Sequence, residues 1–225
     1  FQVLLQYHKS FDLHEWQRVL TDVLLPLVEA EQVQPRAFQG TARVMAMVPA
    51  LRADVAWPTM WTRWLTAVER AVRERQDQLD VVHAALEALH ATLRVQEQHA
   101  WWHDTWPTVV RLCDVHASMT LSDLCFLVDM LHMLFVHRPC TDTNVDAMLH
   151  ALHECIAHGL HVADALSLSH LHRLVKRVQE SFEFMTHKGA TRAKVLDALQ
   201  VCASMAYDAA TMHSKHARMH AMYME

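Results

Sequence analysis

The side chains best suited to chemistry in this 225-residue chain are its 19 histidines, five cysteines and seven tryptophans. The densest cluster is His150, His153, Glu154, Cys155, His158 and His161. His150, Glu154 and His158 are spaced i, i+4, i+8 and share one helix face, and imidazole, carboxylate and thiolate all bind zinc. However, three residues separate Glu154 from His158, so the pattern is not HExxH. Ligands strung along more than two turns of a single helix also make a poor tetrahedral cup. A solvated polar face is the better reading. His213, His216 and His220, spaced i, i+3, i+7, also share a face and meet the same objection. Glu87-x-x-His90 is half of a ferritin-like di-metal motif whose other half is missing. No metal or other cofactor is expected.

Catalysis finds no better footing. There is no GxSxG to order a serine, and no local signature couples a cysteine to a histidine. Cys113, Cys125, Cys140, Cys155 and Cys202 form no CxxC pair, and their odd number suits free thiols in a reducing compartment. GxGxxG and GKS or GKT are absent, and three glycines leave little from which to build a phosphate cradle. The expectation is a protein that is not an enzyme and has no small-molecule substrate; a metal-dependent enzyme is the remote alternative.

The formal net charge of −5 is not that of a dedicated nucleic-acid binder. One basic concentration stands out: Arg173, Lys176, Arg177, Lys188, Arg192 and Lys194, the candidate RNA contacts. Asp12, Glu15, Asp22 and Glu29 make the N-terminal helix acidic. Among the tryptophans, Trp57, Trp61 and Trp64 follow helical spacing and suit a core. Trp101, Trp102 and Trp106 include an adjacent pair that cannot both face inward, so they are candidate partner-docking residues.

Apolar spacing requires helices to position all of these groups. Asp12 caps a helix that Pro26 ends or kinks. Further helices run over about 35–52, from Trp57-Pro58-Thr59, over about 78–98, and from Trp106-Pro107 to near His116. Thr120 or Ser122 caps the next, and Thr141 or Thr143 the one after, which ends at Gly159 as a C′ glycine. Ser167 or Ser169 caps a helix that Gly189 separates from a final one starting near Thr191. No strand is expected, and no apolar run reaches the roughly 20 residues of a membrane span. The fold class is all-α.

The helices repeat in pairs. Thr120-Leu-Ser-Asp-Leu-x-x-Leu-Val-x-x-Leu131 aligns with Ser167-Leu-Ser-His-Leu-x-x-Leu-Val-x-x-Val178. Their partner helices align too, with Val145, Met148, Leu149 and Leu152 falling on Val195, Ala198, Leu199 and Cys202. This gives approximate repeats 11–54, 57–99, 120–159 and 167–206 in a single domain, 1–225, with an insertion near 100–118. Two helices per 40 to 47 residues is a helical-solenoid period.

The Leu-Ser-x-Leu-x-x-Leu-Val start resembles degenerate HEAT and armadillo-type repeats. It is similar to octotricopeptide-like and RAP-associated arrays and to helical subunits of kinetoplastid mitochondrial ribosomes and RNA-editing complexes. The resemblance covers about 57–205. It implies a short α-solenoid acting as a non-catalytic scaffold in a ribonucleoprotein of the mitochondrial matrix. The implied partners are other protein subunits, with RNA possible. A direct RNA-binding module using the basic residues is the alternative.

Overall fold

The computed structural model describes residues 11–95, 102–115, 119–162 and 168–205. Among them the chain is all-helical, with no strand. None of these helices is long and apolar enough to cross a membrane. The chain divides into two compact units, Phe1–Met119 and Thr120–Glu225.

The first unit opens with α1 (Leu13–Arg18), a π turn (Val19–Leu24) and α2 (Leu25–Glu29) in one continuous helical run. Asp12 caps it as expected. Asp12 Oδ1 accepts from the Glu15 N–H at 2.8 Å, and Glu15 Oε2 accepts from the Asp12 N–H at 2.8 Å. Pro26 does not end the helix. It has no N–H for the carbonyl four residues back. The chain absorbs the loss in the widened turn, where the Leu25 N–H reaches Leu20 O, five residues back.

Next comes α3 (Pro35–Met47), which stops short of the expected Arg52. Pro49 drives Val48 out of the helical region, to φ −114° and ψ 77°, and a 3-10 turn (Pro49–Ala53) follows. Then come α4 (Trp57–Glu74), α5 (Leu79–Val95) and α6 (Trp102–Cys113). The last of these starts before Trp106, so Pro107 lies inside it. The hydrogen bond lost there is outweighed by burial of Trp106, Val109 and Leu112. Helix α2 packs on α4, α3 on α5, and α4 on both α5 and α6. Fully buried Trp57, Trp61 and Trp64 form the centre of this core, with Trp57 stacked on Trp61 and Trp64 against Phe38.

The second unit contains α7 (Leu121–Val136), α8 (Asp142–Val162), α9 (Leu168–His187) and α10 (192–205). Thr120, not Ser122, caps α7. Its hydroxyl accepts from the Asp123 N–H at 3.3 Å, and Asp123 Oδ2 accepts from the Thr120 N–H at 2.9 Å. Thr141, not Thr143, caps α8 through the Asn144 N–H at 3.4 Å. Ser167 lies outside the described residues. Helix α9 packs on α7 and α8, and α7 packs on α8. Lys194 joins α10 to Asp142 and Asp146 of α8, at 3.3 and 3.1 Å.

The two glycines of this unit do different jobs. Gly159 is not a C′ residue, because α8 runs through it to Val162. It is buried, and a Cβ there would overlap Leu174 Cδ2 and come within 3.3 Å of Leu121 Cδ2. The glycine thus allows α8 to approach α7 and α9 closely. Gly159→Leu is expected to cost about 3 kcal/mol through overpacking. Gly159→Ala should stay within about 1 kcal/mol of the parent, because Leu174 can turn its terminal methyl and alanine favours the helix. Urea denaturation of the two variants checks this; a Leu variant as stable as the parent would mean the approach is not close. Gly189, at φ +98°, does terminate a helix. The Ala190 N–H bonds Met185 O at 3.0 Å and the Gly189 N–H bonds Thr186 O at 3.2 Å, a Schellman cap closing α9.

Candidate functional site

The six basic candidates fall on α9, the turn after it and α10, and most of their charge is used within the unit. Arg177 lies on Asp129 at 2.9 Å and donates to Glu180 at 2.7 Å, and its pKa is raised chiefly by the Glu180 hydrogen bond. Arg173 reaches the same Asp129 at 3.4 Å. Asp129 is only 11% exposed, so these two arginines neutralise a nearly buried carboxylate at the α7–α9 contact. Lys176 makes a loose, exposed pair with Glu180 at 4.0 Å, the kind of contact that contributes little. Lys194 bridges to α8, and its two aspartates raise its pKa. Arg192 is exposed at the start of α10.

Lys188 departs furthest from its expected role. Its ammonium donates to the carbonyls of Phe135 at 2.6 Å, Val136 at 2.7 Å and Arg138, the end of α7. Three N–H donors meet three carbonyls at and just past the end of α7, of which Phe135 O also accepts from the Arg138 N–H at 3.1 Å. The cation also sits at the negative end of that helix dipole and 5.1 Å from the Phe135 ring centroid. Burial lowers its pKa, with Cys140 opposing. Lys188 is a helix-end clamp, its ammonium engaged by these carbonyls.

The same device recurs in the first unit. Arg70 donates to Glu29 O, and Arg75 to Ala30 O at 2.9 Å, covering the end of α2. Arg63 grips the Glu29 carboxylate with two bonds of 2.8 and 2.7 Å, which holds that carboxyl below its ordinary range. Arg52 donates to Val95 O and Ala46 O at 3.1 and 3.4 Å, at the ends of α5 and α3. Arg73 donates to Arg111 O at 3.2 Å near the end of α6, while Arg111 grips Glu69 at 2.9 and 2.8 Å. Sequence reading missed this whole set. The signal was the scarcity of glycine: with three in the chain, most helix ends need another way to satisfy their last carbonyls.

The tryptophan candidates divide. Trp101 lies outside the described residues, as does the side chain of Trp102. Trp106 is 4% exposed and belongs to the α6 core, so it presents no anchor at the surface. Trp61 Nε1 donates to Thr105 Oγ1 at 3.0 Å inside the core, joining α4 to α6.

Among the described residues, no three His, Cys, Asp or Glu side chains converge to hold a metal ion. Within the α8 cluster, His153 Nδ1 lies 3.3 Å from Glu154 Oε1 and Cys155 is buried. His213, His216 and His220 lie outside the described residues. None of the five cysteines is in a disulfide, and only Cys140 is not buried. Burial raises the Cys125 pKa to about 11 and also raises that of Cys202, so neither is a ready thiolate at neutral pH.

Two open grooves, each about 340 Å³, are mainly apolar. One lies beside Leu24, Leu27 and Ala37 in the first unit, the other beside Ile156, Phe182 and Leu199 in the second. Comparison with protein-family models, curated proteins and solved structures found no match.

Proposed function

We propose that the chain is a non-catalytic helical-repeat scaffold that holds other protein subunits together in a multi-subunit complex. The observation that supports this is the order of helix neighbours. In the first unit the leading helices of successive pairs, α2 and α4, pack together, as do the trailing helices α3 and α5. Helices α4 and α5 also pack within their pair. In the second unit α7 packs on α9, α8 is bridged to α10, and α7 packs on α8 within its pair. Stacked helix pairs of HEAT or armadillo type have this neighbour scheme, which favours reading each unit as a short α-solenoid segment. The polar side chains described above join helices and close their ends, a structural use of charge. The repeated Leu-Ser start suggests the setting: a mitochondrial ribonucleoprotein, either ribosomal or RNA-processing.

Sedimentation of the tagged protein from cell extract, with and without ribonuclease, tests this. The scaffold reading expects a large particle that survives ribonuclease. Migration at monomer mass would overturn it.

Direct RNA binding is the second reading, favoured by the exposure of Lys176 and Arg192. Arg173→Glu and Arg177→Glu are poor probes, because each sets a carboxylate against Asp129. Lys176→Glu with Arg192→Glu leaves that contact intact. The scaffold reading expects RNA affinity in a filter-binding assay to be unchanged in the double variant. A fall of about tenfold, steepening at low salt, would favour the RNA reading instead.

A further inference from the structure

One leading helix in each unit carries an arginine with a glutamate six residues later: Arg63 and Glu69 on α4, Arg177 and Glu183 on α9. That spacing sets the two side chains about 120° apart around the helix, so they serve different neighbours. On α4 both are used. Arg63 reaches the helix before it and grips Glu29 of α2, at 2.8 and 2.7 Å. Glu69 meets the other neighbour, α6, and accepts two bonds from Arg111, at 2.9 and 2.8 Å.

On α9 only the arginine is used. Arg177 reaches the helix before it and lies on Asp129 of α7 at 2.9 Å. Ser181 and Phe184 face α7 as well, through contacts with His132. Glu183 stands clear of that face and is exposed. Among the described residues it meets Gln179 Nε2 at 3.0 Å and no cation. Lys176, two turns earlier along the same edge, reaches Glu180 instead.

Beside Glu183 lies the apolar groove of the second unit. Val175 and Phe182 of α9, Ile156 of α8 and Leu199 of α10 line it, and Glu183 is the one charged group among its described lining residues. Val175 is 40% exposed there. On α4 the corresponding side is covered by α6, whose Trp106, Val109 and Leu112 are buried and whose Arg111 closes the edge.

We propose that this groove docks a helix of another protein subunit, amphipathic and carrying an arginine that closes on Glu183 as Arg111 closes on Glu69. The proposal rests on the scaffold reading and gives its partner a chemistry. Apolar side chains at i, i+3 and i+7 of the docked helix fill the groove. The arginine fork meets both oxygens of the carboxylate. A carboxylate at the same place on the incoming helix would be repelled, so Glu183 also selects against acidic helices.

The test uses the full chain and an alanine-based peptide of about 16 residues, enough to hold a helix, with leucines along one face and an arginine at its edge. A twin peptide has glutamate in place of the arginine. Fluorescence anisotropy reads both affinities. The arginine peptide is expected to bind the parent about tenfold more tightly than its twin, and Glu183→Lys to reverse that order. Reversal cannot come from unfolding, which would weaken both peptides. Equal affinities in the parent, or an order that Glu183→Lys leaves unchanged, would overturn the proposal. A photo-crosslinking residue at Val175 identifies the occupant. A crosslink to the arginine peptide supports the proposal, whereas one to another part of the same chain or to a second copy overturns it. Absence of peptide binding overturns it too and leaves the scaffold reading standing, since that reading fails on monomer migration in extract.

Discussion

Lys188→Met lowers the stability of the second unit by about 2–3 kcal/mol. The methionine fills much of the same space beside Phe135 and Phe184, so little of the loss is cavity. The cost comes from the carbonyls of Phe135, Val136 and Arg138, which lose their shared donor, Phe135 O alone among them keeping a bond from the Arg138 N–H. It also comes from removing a cation from a helix C-terminus. Lys188→Arg should recover only part of this. A planar guanidinium presents its donors as a fork and cannot converge on three carbonyls as an ammonium does. Urea denaturation followed by circular dichroism checks both variants. A loss under about 0.5 kcal/mol for Met, the range of an ordinary surface change, would mean the clamp carries no weight.

Trp64→Ala carries the largest expected loss in the first unit, about 3–5 kcal/mol. The indole is fully buried against Phe38. A more discriminating comparison is Trp→Phe at two positions. Trp64 Nε1 is buried with no hydrogen-bond partner, whereas Trp61 Nε1 donates to Thr105. Trp64→Phe removes a polar atom that gains nothing, so it should cost about 1 kcal/mol. Trp61→Phe removes a satisfied buried donor and should cost about 1–2 kcal/mol more. Thermal unfolding of the three variants ranks them. Equal losses for the two Phe variants would show that the Thr105 bond contributes nothing.

Several helix starts were legible in the sequence because they are local, although α6 begins ahead of the expected Trp106-Pro107. The Asp12 and Thr120 capping boxes close within three residues, and Pro35 and Pro58 stand in first turns where a missing N–H costs nothing. The inward face of α4 was legible for the same reason. Some helix ends were not, although Gly189 does close α9. Pro26 and Gly159 looked like terminators, but a π turn accommodates one and a close helix crossing requires the other. What the candidate site's charges touch was least legible, because the partners that engage them lie far away in sequence. Asp129 and Arg173 are 44 residues apart, and Lys188 and Phe135 are 53 apart. No pattern of spacing within α9 reveals that its cations are engaged by α7.

Closing helix ends with a neighbour's cation has a consequence for how the units come apart. A glycine cap is self-contained and holds while its own helix holds, whatever happens around it. The end of α7 is closed by a lysine beyond α9, and the end of α2 by arginines at and just beyond the end of α4. When the lending helix leaves, the borrowed cap leaves with it, and the bare carbonyls begin to fray. Loss of order therefore spreads from helix to helix within a unit, so that each unit opens as a single cooperative block, with no stable partly peeled state between closed and open.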